Sequence, residues 1–278
     1  MKIFNNDCLE EMKNLPDKSI DLFICDLPYG ETNCSWDNVI DMQEFWKQFK
    51  RLRKNKRVAC IHFCSTKFGY SLIKSWEKGF KMDLVWKKRN KTGALQSKYR
   101  PMRNHEMVYF FYEQTPKYNR DKYHKRINNV MLSKSDTTNV KKSDAIENKK
   151  IERKTANFEP VQPASIIEED SWGEGKNNRN KRYLQYGPGY YEPANPDSIF
   201  ESEKVFTGKR HHQTQKPQDI LEFFLKYWTD EGDVVLDPTM GSGSTGVACK
   251  NLNREFIGIE LNKEIFEIAK NRLAENKM

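Results

Sequence analysis

A chain of 278 residues, 37% hydrophobic and 12% aromatic, can bury one large core, or one core and a smaller module, and is too apolar to be disordered throughout. No apolar run is long enough to span a bilayer and Met1 to Asp7 lacks the apolar stretch of a signal peptide, so the expected location is the cytoplasm. The net charge of +9 is concentrated: Lys117 to Lys154 holds 12 Lys/Arg against 5 Asp/Glu, a local excess of +7, which fits either a polyanionic partner or a solvated lysine-rich loop.

Ile3-Phe4-Asn5 reads as a short strand ending at Asp7, followed by a helix from Leu9 that stops near Pro16. Ile20 to Cys25 has the β-branched and aromatic content of a central strand, and it spills into Asp26-Leu27-Pro28-Tyr29-Gly30. A carboxylate, an aromatic ring and a proline at such an exit form a small polar cup where α/β folds keep their chemistry. Asp41 and Glu44 have capping-box spacing before an amphipathic helix of Met42, Phe45, Phe49 and Leu52. Val58 to Phe63 is a strand, Leu72 to Glu77 lies in a helix, and Met82 to Trp86 and Met107 to Tyr112 form a strand pair. From Glu113 to about Lys204 periodicity fades into Lys, Asn and Ser and then Gly/Pro/Tyr turns, the texture of an inserted module. Pro217 opens a helix with Ile220, Leu221, Phe224, Leu225 and Trp228 on its apolar face. Val234 to Leu236 is a buried strand, a helix covers Val247 to Leu252, Phe256 to Ile259 is a strand ending in Glu260, and Asn262 caps a last helix. The six cysteines lack the close pairs of a zinc site or a disulfide framework and read as reduced packing residues, with no metal expected; His62, alone in a strand, reads as a core residue.

The loop Asp237 to Gly246 carries Gly241-Ser242-Gly243-Ser244-Thr245-Gly246 between strand and helix, and Glu260 ends the next strand. Glycines there let backbone approach a ligand, and the acid accepts hydrogen bonds from ribose hydroxyls, a pattern that fits NAD as well as other adenosine ligands. Asp237 separates them. A carboxylate at the first strand's mouth repels a dinucleotide pyrophosphate but suits the ammonium and sulfonium of S-adenosylmethionine.

Five stretches together resemble a DNA amino-methyltransferase (adenine-N6 or cytosine-N4) of the beta arrangement, in which the catalytic half precedes the target-recognition region and the cofactor half comes last. They are Asp26 to Gly30; Arg103 to Phe111 with His105-Glu106; Asn195-Pro196-Asp197-Ser198-Ile199; His212-Gln213-Thr214-Gln215-Lys216-Pro217; and Asp237 to Gly243 with Glu260. Gln213 and Leu27 stand where the family usually has proline, and the match covers residues 1–112 and 195–278 but not 113–194. The resemblance implies a circularly permuted, mostly parallel seven-stranded Rossmann-like α/β sheet, with residues 1–112 as the catalytic half, 113–204 as the target-recognition insert and 205–278 as the cofactor half.

It also implies chemistry. Asp26 and the Leu27 carbonyl would accept the two hydrogens of an exocyclic amine, freeing its delocalised lone pair to attack the sulfonium methyl, while Pro28 shapes the cup and Tyr29 stacks on the flipped-out base. Asp7 would meet the adenine of S-adenosylmethionine. Asp26, His212, Thr214, Gln215 and Lys216 would line the cofactor pocket with Asp237, Thr239, Gly241, Ser242, Gly243, Thr245, Glu260 and Asn262. Lys88, Arg89, Arg100 and Arg103, and Lys141 and Lys142 in the basic segment, are candidates for phosphate contacts on double-stranded DNA, with Arg179 and Arg182 in the insert. The expected reaction is N6-methylation of adenine in a specific site, Asp rather than Ser opening the cup, in a restriction-modification system with a cognate endonuclease or on a phage or mobile element. Family members often pair as homodimers. The competing readings are cytosine-N4 methylation, a catalytically silent module that binds cofactor and DNA, and an NAD-dependent dehydrogenase.

Overall fold

Leu22-Phe23-Ile24-Cys25 carries no polar side chain, a composition stable in a strand only when both of its faces are covered. A computed structural model describes residues 1–31, 39–92, 99, 103–123, 125–127, 157–159, 199–201 and 215–274. In chain order the elements are β1 (Lys2–Asn5), α1 (Cys8–Asn14), β2 (Leu22–Cys25), α2 (Met42–Leu52), β3 (Ala59–Cys64), α3 (Thr66–Ser75), β4 (Phe80–Thr92) and β5 (Arg103–Phe111). Then come α4 (Arg120–Tyr123), β6 (Lys125–Ile127), β7 (Asn157–Glu159), β8 (Ile199–Glu201), α5 (Gln218–Trp228), β9 (Val234–Asp237), α6 (Ser244–Asn251), β10 (Glu255–Glu260) and α7 (Lys263–Ala274). They fall into two compact units, residues 1–119 with 198–278, and residues 120–197, in which β6 and β7 pair antiparallel.

The first unit is built on one sheet in the order β1-β10-β9-β2-β3-β5-β4-β8. Only β5 is reversed, antiparallel to both β3 and β4. The expected mostly parallel seven-stranded α/β sheet is present, and the three-residue β8 extends it by running parallel to β4. Leu22 and Ile24 point into one apolar layer with α5, α6 and α7, while Phe23 and Cys25 point into the other with α1, α2 and α3. No residue of β2 is more than 1% exposed.

Local signals account for the helix starts. Asp41 caps α2 by accepting from the backbone N–H groups of Gln43 and Glu44. The reciprocal half of the expected capping box is absent: Glu44 instead accepts from Gln48 Nε2 at 2.6 Å and Lys47 Nζ at 3.2 Å, one turn on. Ser65 caps α3 through Phe68 N, and so α3 starts earlier than its apolar periodicity suggested.

His62 is fully buried and lies edge-on to Phe45, Trp46 and Phe111. Strand pairing brings together what sequence separates: His62 Nε2 is 3.2 Å from Cys60 Sγ, which is 3.8 Å from Cys25 Sγ. The five described cysteines are buried, and burial pushes the Cys25 thiol well above its ordinary range. Among the described residues no helix is long and apolar enough to cross a membrane.

Because β2 and β9 are paired neighbours whose following helices lie on opposite faces, the sheet has a topological switch point between their carboxyl ends. Phe224 of α5, fully buried against Phe63 and Phe110, helps hold α5 on that sheet. Phe224→Ala is expected to cost about 3–5 kcal/mol in urea unfolding, against about 0.5 kcal/mol or less for the exposed Tyr70→Ala; comparable losses would refute this placing of the core.

Candidate active site

The cup forms where β2 runs out of partners. Leu27 is 1% exposed and packs into the layer of α1 to α3, so it pins the loop from below. Gly30, at φ +65°, turns the chain away in a conformation that few side-chain-bearing residues adopt. Between them, Asp26 accepts from Tyr29 OH at 3.0 Å through Oδ1 and from Lys216 Nζ at 2.5 Å through Oδ2. The Tyr29 ring stacks on Phe68 with centroids 5.0 Å apart, and burial followed by the neighbouring Asp26 pushes its phenol well above the usual range, so it stays a neutral donor.

Lys216 enters from the far end of the sequence, on the turn that leads into α5. Its ammonium lies 4.9 Å from the Phe63 ring centroid and 3.8 Å from Glu106 Oε2. Burial disfavours its charge, but Asp26 and Glu106 outweigh burial and raise its pKa above that of an ordinary lysine. Glu106 also pairs with Lys88, whose ammonium lies 5.1 Å from the Trp86 ring centroid. Glu106 as a member of this site was not anticipated from sequence. Its signal was the block around His105, yet only the reversal of β5 carries the start of that strand to the edge where β2 and β3 end.

One strand away, the glycine loop leaves β9. Asp237 is 4% exposed and accepts from Thr245 Oγ1 at 2.6 Å and Thr239 N at 3.1 Å. Glu260 receives Gly241 N at 3.1 Å and Asn262 N at 2.8 Å, and Asn262 in turn caps α7 through Ile265 N. Gly241 has φ +52° with open space where a side chain would stand, whereas at Gly243 (φ +79°) a Cβ would press on Ala269 and Leu273. The first glycine therefore leaves room for a ligand and the second closes the loop onto α7. Ser242 is held by Arg272, and Asp7 caps α1 through Leu9 N and Glu10 N. A buried Thr239 Oγ1 without a hydrogen-bond partner among the described residues, beside two acids and open space at Gly241, fits a ligand bearing both polar and cationic groups.

Asp7, Asp26, Lys216, Asp237, Gly241 and Glu260 thus belong to the carboxyl edge of one sheet, with Gln215 beside Lys216 and Pro28 beside Leu27. Lys88 is drawn to Glu106, and Arg89 and Arg103 sit in β4 and β5. His212, Thr214, Arg100, Lys141, Lys142, Arg179 and Arg182 lie outside the described residues.

Burial pushes the Asp237 carboxyl up to about 7, with Asp26 and Glu260 adding to it and the Thr245 and Thr239 hydrogen bonds opposing it. The folded value exceeds the unfolded one near 3.9, so the folded chain binds more protons between those values and this group's contribution to stability falls as pH rises from about 4 to about 7. Asp237→Asn removes that slope: relative to the variant, the parent chain is expected to lose about 2–3 kcal/mol between pH 5 and pH 8 in urea unfolding. Parallel pH profiles would contradict it.

Comparison with known proteins places this edge in context. A family model described as DNA methylase matches residues 20–271. The type II methyltransferase M.HpaI of Haemophilus parainfluenzae is 45% identical over 83 residues, 29% of this chain and 26% of that protein. This chain therefore spans about a quarter of M.HpaI in that match. The type II methyltransferase M1.MboII of Moraxella bovis is 25% identical over 95% of this chain and 92% of its own. The crystal structure of the M1.HpyAVI–SAM complex superposes with a TM-score of 0.55 at 23% identity, covering 98% of this chain and 99% of that one, a likeness of fold. Because the family match takes in the cup, Glu106, Lys216 and the glycine loop in a single pass, the chain belongs to the DNA methylase family of N6/N4 amino-methyltransferases.

Proposed function

We propose that this protein is a site-specific DNA methyltransferase that moves a methyl group from S-adenosylmethionine to N6 of adenine in double-stranded DNA. The observation that carries this reading is the adjacency of two acids with different tasks: Asp26 and Asp237 leave the carboxyl ends of paired strands β2 and β9. Asp237 suits the cationic end of the cofactor and Glu260 its ribose, with Asp7 at the adenine, Gly241 giving backbone access, and Thr239, Gln215 and Asn262 completing the rim. When bound, S-adenosylmethionine supplies an electrophilic methyl group on a sulfonium.

The remaining work falls to the cup. Asp26 and the Leu27 carbonyl accept the two amine hydrogens, pulling the nitrogen towards tetrahedral geometry so that its lone pair is available. The proton released as the new N–C bond forms leaves through Asp26 to solvent. Tyr29, backed by Phe68, offers a ring to a base flipped out of the duplex. The buried Leu27 holds the loop by packing where the family's proline would do so by ring closure. Asp at the first cup position favours adenine over cytosine. The insert at residues 113–204, with Lys141, Lys142, Arg179 and Arg182, reads and grips the DNA, Arg89, Arg100 and Arg103 adding phosphate contacts. The type II names of the relatives support a restriction-modification setting with a cognate endonuclease.

Long-read detection of modified bases on plasmid DNA from expressing cells is expected to show N6-methyladenine at one motif, with Asp26→Ala slower by about 10²–10³-fold in vitro. N4-methylcytosine would move the reading to the cytosine class, and no modified base from folded, cofactor-binding protein would overturn it. A cationic ligand pulls the Asp237 pKa of about 7 down, so S-adenosylmethionine affinity is expected to rise from about pH 5 to 7 and then level, with proton release on binding. Calorimetry in buffers of different ionisation enthalpy checks this, and an Asp237→Asn variant with the same pH dependence would count against it.

A further inference from the structure

In this cup the acceptor does not stand alone. Lys216 Nζ lies 2.5 Å from Asp26 Oδ2 and 3.8 Å from Glu106 Oε2. The ammonium carries three donors and sits over the Phe63 ring, with 13% of its side chain exposed. Each carboxylate oxygen accepts two hydrogen bonds, so Asp26 keeps Tyr29 and Lys216 while still taking an amine hydrogen. The cup therefore presents an acceptor and a donor side by side.

We propose, building on the methyltransferase reading above, that Lys216 reads the ring nitrogen adjacent to the target amine, and that the Asp26–Lys216 pair is the element that selects amino bases. The Watson–Crick edge of adenine shows an N6 amine next to the N1 acceptor, and cytosine shows an N4 amine next to N3. Both match a carboxylate–ammonium pair. Guanine and thymine each place a ring N–H where Lys216 holds its donors and a carbonyl where Asp26 needs an amine, so the same pair rejects them. Glu106 helps position Lys216 electrostatically across 3.8 Å, and Lys88 pairs with Glu106. The Phe63 ring closes off the side of Lys216 that it covers. Lys216 thereby belongs to the base rather than to the cofactor, the assignment its neighbours in the sequence suggested.

The test is a double cycle. Single-turnover methylation is measured on a duplex carrying the motif found by sequencing, with either adenine or 1-deazaadenine at the target, for the parent protein and for Lys216→Met. Removing N1 alters the intrinsic reactivity of the amine, and that change is common to both proteins and cancels in the cycle. The parent is expected to lose about 10- to 100-fold more than the variant when N1 is replaced, the worth of one hydrogen bond from a charged donor. S-adenosylmethionine affinity within about twofold of the parent shows that Lys216→Met is folded and separates base reading from cofactor binding. Equal losses for both proteins overturn the role of Lys216 while leaving the proposed function standing. A variant impaired in cofactor affinity and not in the cycle returns Lys216 to the cofactor pocket. Failure of the parent on adenine itself overturns the function first.

Discussion

Concentrated negative charge at the end of a parallel sheet is the constraint around which this molecule is arranged. Asp26 and Asp237 leave adjacent strands, and Glu260 leaves the strand beyond. Burial of Asp237, with the neighbouring carboxylates of Asp26 and Glu260 adding to it, drives its carboxyl up to about 7. Something positive has to stand among them. Lys216 supplies part of that charge through its ion pair with Asp26.

The edge is anchored from both faces. Phe23 and Cys25 pack under α1 to α3, and Leu22 and Ile24 pack under α5 to α7, so the strand carrying the cup cannot shift without opening two apolar layers. Leu27 continues the anchoring one residue beyond Asp26. The glycine loop is tied in the same manner: Gly243 lets it close onto α7, Arg272 grips Ser242, and Thr245 is bonded to Asp237. Binding groups at a sheet edge gain their precision from such supports, because a carboxylate on a loose loop would relax towards water and lose its directed hydrogen bonds.

The ion pair at Asp26 joins residues far apart in the chain. Asp26 and Lys216 are 190 positions apart, and residues 120–197, a compact unit of their own, lie between them in the sequence.

Where the signal is local, the elements were legible in the residues themselves. An all-apolar run fits a strand covered on both faces, Asp41 and Asn262 mark helix starts through their own side chains, and the spacing of Asp237, the glycines and Glu260 fits a strand, loop, helix and strand. Glu44 shows the limit even here, since its position promised a back-bond and a neighbouring turn took it. Tertiary structure alone decided which distant groups share a space. The reversal of β5 delivers Glu106, strand pairing unites Cys25, Cys60 and His62, and the turn before α5 drops Lys216 onto Asp26. Those meetings depend on strand order and direction, which follow from the packing of two whole apolar layers and are written in no single stretch of residues.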